Sequence, residues 1–222
     1  MRGTVTVNPT SGPDISMRVV RRSTSTDPRI VVVRASETKG VVRIVSVHPP
    51  PIPGVMHECL HDDEELGDFW HYDVTVDVEL TIPARLALLV RTMRGDVVVS
   101  GLEGNVDVAT NDGEIRLKEI RGNLVAAAVG TVDFQPTSSS RPGPHAVRVT
   151  AYAGDIRLRI PSGQRVRTDG GPAVEVRRDA PEVLSTAGSA GHDVAVSVES
   201  GASFEVGITR GRLIVVPSGS SK

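Results

Sequence analysis

Aromatic side chains are almost absent from this chain: one Trp, two Tyr and three Phe among 222 residues. A core built around large rings is therefore excluded, and the interior must come mainly from Val, Ile, Leu and Ala. These residues recur in short alternating runs such as VTVDVEL and IRLRI, which favour strands. A single cysteine, Cys59, excludes an intramolecular disulfide and leaves the redox compartment open. No apolar run approaches the roughly 20 residues of a membrane helix, and the opening MRGTVTVNPT lacks the apolar stretch of a signal peptide. Neither sign of charge dominates. The formal net charge is -2 with acids and bases interspersed, which excludes the basic footprint of a nucleic-acid binder and gives no electrostatic reason for membrane association. The expectation is a soluble body with no membrane-spanning segment, of one or two domains by length.

What is present is a repeat. RGDVVVSGLEGNVDVATN, from Arg94 to Asn111, and DGEIRLKEIRGNLVAAAV, from Asp112 to Val129, are consecutive segments of equal length that align without a gap. Gly95 matches Gly113, Asp96 matches Glu114, Val97 and Val99 match Ile115 and Leu117, and Gly104-Asn105 matches Gly122-Asn123. A further copy, GTVDF, opens one residue early at Gly130; AGDIRLRIPSG restates the element from Ala153, and TRGRLIVVPSG is a weaker last copy. The Ser- and Pro-rich stretch Pro136 to Pro144 reads as a loop leaving the repeat. Alternation puts Val97, Val99, Val106 and Val108 on one side of their strands, a face that one strand pair cannot bury alone. Stacking units about 4.8 Å apart buries it as a continuous aliphatic column. The predicted fold is all-β, a β-solenoid or β-helix-like stack of 18-residue two-strand coils in a single domain.

The repeat also interprets the tripeptide Arg94-Gly95-Asp96, which integrin ligands display. Its position holds Asp112-Gly113-Glu114 in the next unit and Ala153-Gly154-Asp155 later, so only the glycine and the acid recur. A glycine at a corner permits positive φ, and a short acid beside it can accept hydrogen bonds from turn amides. The tripeptide is predicted to be a structural corner.

Residues 1 to 47 alternate too, in GTVTV, ISMRVV, RIVVVRAS and VVRIVSV, separated by the turn formers NPTSGPD and TSTDP. They read as an antiparallel meander capping one end of the stack. An excursion loop follows at 48 to 73, rich in proline and acids and holding four of the six histidines; stacked coils run from 74 to 217, and 218 to 222 is a tail. The lead-in VDVELTIPA and the corners Gly95-Asp96 and Gly113-Glu114 resemble the adhesin family of bacterial β-strand-repeat envelope proteins, with the specific part in residues 76 to 117. The resemblance implies a β-helical envelope or extracellular protein without known catalysis, and it supplies no catalytic residues. The secretion or anchor segment often found upstream in that family is not seen here, which leaves a cytoplasmic location open.

One motif points elsewhere. HECLH, His57 to His61, satisfies the H-E-x-x-H zinc signature, in which two imidazoles on one helical face bind the metal and Glu58 activates water. Val55, Met56, Cys59, Leu60 and Leu66 have roughly helical spacing. Against it, Glu64 stands where metzincins have glycine, His71 lies ten residues beyond His61, and nothing selects a ligand among Glu64, Glu65 and Asp68. The metal candidates are His57, His61 and His71, with zinc as the cofactor they would take; a solvated loop is preferred, and a zinc-dependent hydrolase is the alternative. His48, His145 and His192 stand alone in the sequence. Stacked acids at Asp96, Glu114 and Asp155 could form a ladder for calcium or sugar, but hard cations need six or more converging oxygens. Phe69, Trp70 and Tyr72 in DFWHY are the candidate interaction patch; the other aromatics, Phe134, Tyr152 and Phe204, are scattered. The expected function is a non-enzymatic surface scaffold or adhesin with a protein or cell-surface partner. A self-assembling intracellular solenoid is the third reading.

Overall fold

The computed structural model describes residues 3–24, 27–30, 32–48, 57–58, 74–136, 146–161, 166–169, 182–186, 192–198, 203–208 and 212–218. In chain order the strands are β1 (Thr4–Thr10), β2 (Ser16–Arg22), β3 (Val32–Thr38), β4 (Val41–His48), the two-residue β5 (His57–Glu58), β6 (Thr75–Pro83) and β7 (Ala87–Thr92). They continue with β8 (Asp96–Ser100), β9 (Val106–Thr110), β10 (Ile115–Lys118), β11 (Leu124–Ala128), β12 (Val132–Gln135) and β13 (Val147–Ala151). The last are β14 (Ile156–Pro161), β15 (Val166–Asp169), β16 (Glu182–Thr186), β17 (His192–Val198), β18 (Ser203–Ile208) and β19 (Arg212–Ser218). The described residues contain no α-helix, only a 3₁₀ turn at Pro28–Ile30, so the all-β expectation holds.

The strands form two open, mostly parallel sheets. Sheet A has the order β16-β19-β14-β12-β10-β8-β1-β6-β2, and sheet B the order β15-β17-β18-β13-β11-β9-β7-β4-β3. From β7 to β14 the chain alternates between them, and each strand from β7 to β12 pairs in parallel with the strand two elements on. Val97 sits opposite Ile115 in sheet A, and Val106 opposite Leu124 in sheet B, each pair exactly matching residues of successive repeats. Matching strands of successive repeats are therefore parallel neighbours within each open sheet, and the two sheets are not closed into a coil.

The alternating pattern sets the core. In β6 and β8 every second residue is buried, and β9 to β13 repeat the pattern. Two rows of side chains run up the inner side of sheet A: Val78, Val5, Val97, Ile115, Val132 and Ile156, then Leu80, Val7, Val99, Leu117, Phe134 and Leu158. Each such aliphatic burial contributes about 1.5–3 kcal/mol relative to exposure. Leu102 and Ile120, one repeat apart, are fully buried where the chain leaves sheet A for sheet B. Phe134 brings a ring into this interior.

The N-terminal region corrects the expected meander. β1 does not pair with β2; it lies inside sheet A, parallel to β6 on one side and β8 on the other. GTVTV has the same Gly-x-apolar-x-apolar form as the repeat, and its glycine stacks beneath Gly95. The reversal of direction expected of a cap is carried instead by β2 against β6 and by the β3–β4 hairpin. That hairpin turns through Lys39 (φ 53°) and Gly40 (φ 76°), the paired positive φ of a type I′ turn. The other end is also closed by reversed strands, β16 on β19 and β17 on β18. Antiparallel strands thus end both sheets on both sides, and a parallel stack cannot simply be continued from such an edge.

Candidate functional site

A concavity lies at the repeat corner. Where the chain passes from sheet B to sheet A it turns at Gly95, Gly113, Gly130 and Gly154, stacked in succession on Gly3, which immediately precedes β1. Gly95 has φ 140°, and a Cβ built there would overlap the carbonyl of Gly3; one built on Gly113 would overlap that of Gly95. Here glycine is needed both for the backbone angle and for the close approach of successive units. The corner is knit across units by main-chain bonds: Gly95 N–H donates to Asp112 O at 2.7 Å and Asp96 N–H to Gly3 O at 3.0 Å. From inside, the buried Thr110 hydroxyl donates to Gly95 O at 3.0 Å.

The recurring polar residues serve this stacking. A carboxylate oxygen of Asp96 accepts the Glu114 amide at 2.9 Å, one repeat on. At the opposite corner the Asn105 side chain accepts the Asn123 amide, and Asn123 accepts the Ala146 amide, both at 3.1 Å. Asp77 does the same for Thr4 at 3.0 Å, which ties β1 into its slot. Glu103 stands between Arg85 and Arg121 at 3.4 and 3.0 Å, each one repeat length away. Farther along sheet A, the Arg159 fork grips Asp133 with contacts of 2.7–3.0 Å, and this pairing holds the guanidinium pKa above its ordinary value.

A shallow, open depression of about 370 Å³ lies over the corner, lined by Gly3, Arg94, Gly95, Asp96, Asp112 and Gly113. It contains the Arg94-Gly95-Asp96 tripeptide. Arg94 reaches Asp112 of the next unit at 3.7 Å, and Asp96 is engaged with the Glu114 amide. The tripeptide is built into the stack rather than carried on a projecting loop. Glu114 pairs with Arg116 at 2.6 Å, so Asp96 and Glu114 meet different partners instead of converging on a common point. Among the described residues no group of three or more His, Cys, Asp or Glu is placed to hold a metal.

Of the sequence-predicted site residues, His57 and Glu58 form β5, antiparallel to the end of β4, with His57 opposite His48 and Glu58 opposite Val47. The helical turn that the zinc reading requires does not start there, because an extended backbone does not bring residues i and i+4 together as a helical turn does. His61, His71, Phe69, Trp70 and Tyr72 lie outside the described residues, as does His145. His192 opens β17 opposite Ile208. Sequence reasoning missed the roles of Asn105 and Asn123, although their recurrence beside a glycine in successive repeats was the available signal. Compared with protein-family models, with curated proteins and with solved structures, the chain matches none of the three.

Proposed function

We propose that this protein is a non-enzymatic β-repeat scaffold of the bacterial surface or envelope, adhesin-like in that it presents its faces and corners to a protein or cell-surface partner. The observation that carries the reading is the use of its recurring polar groups. Asp96, Asn105 and Asn123 each hold the amide of a neighbouring unit, an arrangement that builds a rigid platform instead of aiming acids and bases at a shared reacting atom. The resemblance of residues 76 to 117 to bacterial β-strand-repeat envelope proteins supports the same reading. So does the constant register of the parallel pairs, repeat on repeat, which we take as the winding of a β-solenoid-like stack.

The test is a binding and turnover comparison on one preparation. Purified full chain is passed over immobilised cell-surface polysaccharides and proteins, and in parallel incubated with peptide and polysaccharide substrates. Saturable binding without product release is expected. Release of product that is lost on zinc removal and in His57→Ala/His61→Ala would replace the scaffold with a zinc-dependent hydrolase.

A further inference from the structure

The outer side of sheet B differs from that of sheet A. Among the described residues, six large hydrophobic side chains are exposed, and four of them, Val41, Val125, Val129 and Tyr152, belong to this side. Val41 opens β4, three strands from β11, and Tyr152 follows β13; the other two belong to β11, whose buried residues Leu124, Ala126 and Ala128 alternate with outward Val125 and Ala127, continued by Val129 just past its end. All three outward positions are apolar. Val125 is 45% exposed and Val129 42%, with Ala127 between them on the same outward row.

We infer that this face docks a second copy of the same chain about a two-fold axis running along β11. The argument is the pattern on the flanking strands. In register with Val125 lie Asp107 on β9 and Arg148 on β13; in register with Ala127 lie Ala109 and Thr150. The next outward position on each strand is Asn111 beside Val129 on one flank and Tyr152 on the other. A two-fold parallel to the strands lays β11 on its own counterpart and places β9 over β13 of the second copy. Asp107 then faces Arg148 of the second copy, Ala109 faces Thr150, and Asn111 faces Tyr152, each match occurring twice by symmetry.

Two aligned sheets pack about 10 Å apart, and the short Ala109, Ala127 and Thr150 side chains in the middle row permit that approach. The charged row fixes the register, while the apolar row supplies the burial. Asp107 also receives Arg91 at 2.8 Å within the chain, and Arg148 has an interaction within its own chain as well; a carboxylate keeps further acceptor positions and a guanidinium has five donors, so each can add a contact to the second copy. The inference rests on the outer face of sheet B alone and stands whether or not the protein binds a surface partner.

The experiment is sedimentation velocity on the full chain over a concentration series, with circular dichroism to verify the fold of each variant. The parent is expected to shift from monomer to dimer as concentration rises. Val125→Arg changes an exposed position and should abolish the dimer while the strand signal stays unchanged. Asp107→Arg and Arg148→Asp should each weaken dimerisation at least about tenfold, and the double reversal should dimerise more tightly than the two losses added together allow, since the intermolecular pair is re-formed with its signs exchanged while the Arg91 contact is not. A parent that stays monomeric throughout, or a Val125→Arg protein that dimerises like the parent, overturns the inference. A double reversal no tighter than the two single losses added together would overturn the two-fold pairing.

Discussion

Substituting four glycines by alanine separates the two reasons a corner needs glycine. At Gly12 a new Cβ meets nothing nearer than Thr10 Oγ1 at 3.6 Å and the backbone is not left-handed, so the only effect is a stiffer unfolded chain. The outcome is neutral or stabilising by up to about 1 kcal/mol. Gly40 has φ 76° with nothing within 4 Å, which isolates the cost of left-handed backbone, about 1 kcal/mol or slightly more. Gly104 has no left-handed angle, but its Cβ would overlap the carbonyl of Leu86. Relief must shift a segment held by Glu103 N–H and Gly104 N–H on Ala84 O at 2.7 and 3.1 Å, bonds worth about 1 kcal/mol each, before packing losses are added. A cost of about 2–3 kcal/mol follows for that variant. Gly95 combines a φ of 140° with overlap on Gly3, so about 3–5 kcal/mol is expected, or a Tm fall of about 6–20 °C in a chain of this length. Urea denaturation of the four single variants, with m-values compared, measures the series. If Gly95→Ala and Gly104→Ala prove no less stable than Gly12→Ala, the close approach of units at the corners is wrong.

Three further outcomes test other parts of the reasoning. Asp96→Ala removes the acceptor of the Glu114 amide and should cost about 1–2 kcal/mol in thermal or urea unfolding, whereas Asp96→Asn keeps an oxygen there and should cost less than about 0.5 kcal/mol. Phe134→Ala, emptying a ring-filled position of the sheet A core, should cost about 3–5 kcal/mol in the same assay. The Arg29 fork on Asp27 holds that carboxyl below its ordinary value of 3.8, so its small stabilising effect is present above that pH and is lost as pH falls through the lower folded value. Carboxyl NMR should show a midpoint below 3.8, raised towards it in Arg29→Gln.

The strands and their repeat were legible because the buried positions are nearly all small aliphatics at a period of two, a pattern that survives without any tertiary information. The corner at Arg94-Gly95-Asp96 was legible for the same reason: comparison with Gly113-Glu114 separated the recurring glycine and acid from the variable arginine. β1 was not. Val5 pairs with Val78 and Val97, both remote from it in sequence, and adjacency along the chain favours reading GTVTV against the next run as a hairpin. The clue was Gly3 before the alternating residues, the same mark that opens each repeat. The zinc motif could not be decided from spacing, since H-E-x-x-H is defined by residue identity while its chemistry is defined by a helix. At His57 and Glu58 the chain pairs with β4 instead. The apolar outer face of β11 was hidden by the alternation itself, which reports that one side of LVAAAV is buried and leaves the other side unexamined.

Spacing and stacking are separable in this fold, and stacking is the stronger constraint. Val97, Ile115, Val132 and Ile156 occupy successive strands of sheet A in register, although the stretches of chain between them are unequal in length. The longest interval, from Val132 to Ile156, takes in the Ser- and Pro-rich stretch, and it leaves Phe134 opposite Leu158 and Asp133 opposite Arg157 on adjacent strands. A one-residue slip in register would turn the whole inner row outward, so the inner row and the corner glycine together select the pairing, and the connecting chain adjusts. Loop-closure entropy grows only logarithmically with length, which makes that adjustment inexpensive. The same reasoning accounts for β1: a segment bearing Gly-x-apolar-x-apolar can dock between β6 and β8 from far along the chain, because what the slot reads is a corner glycine and two inward valines, and Gly3, Val5 and Val7 supply them.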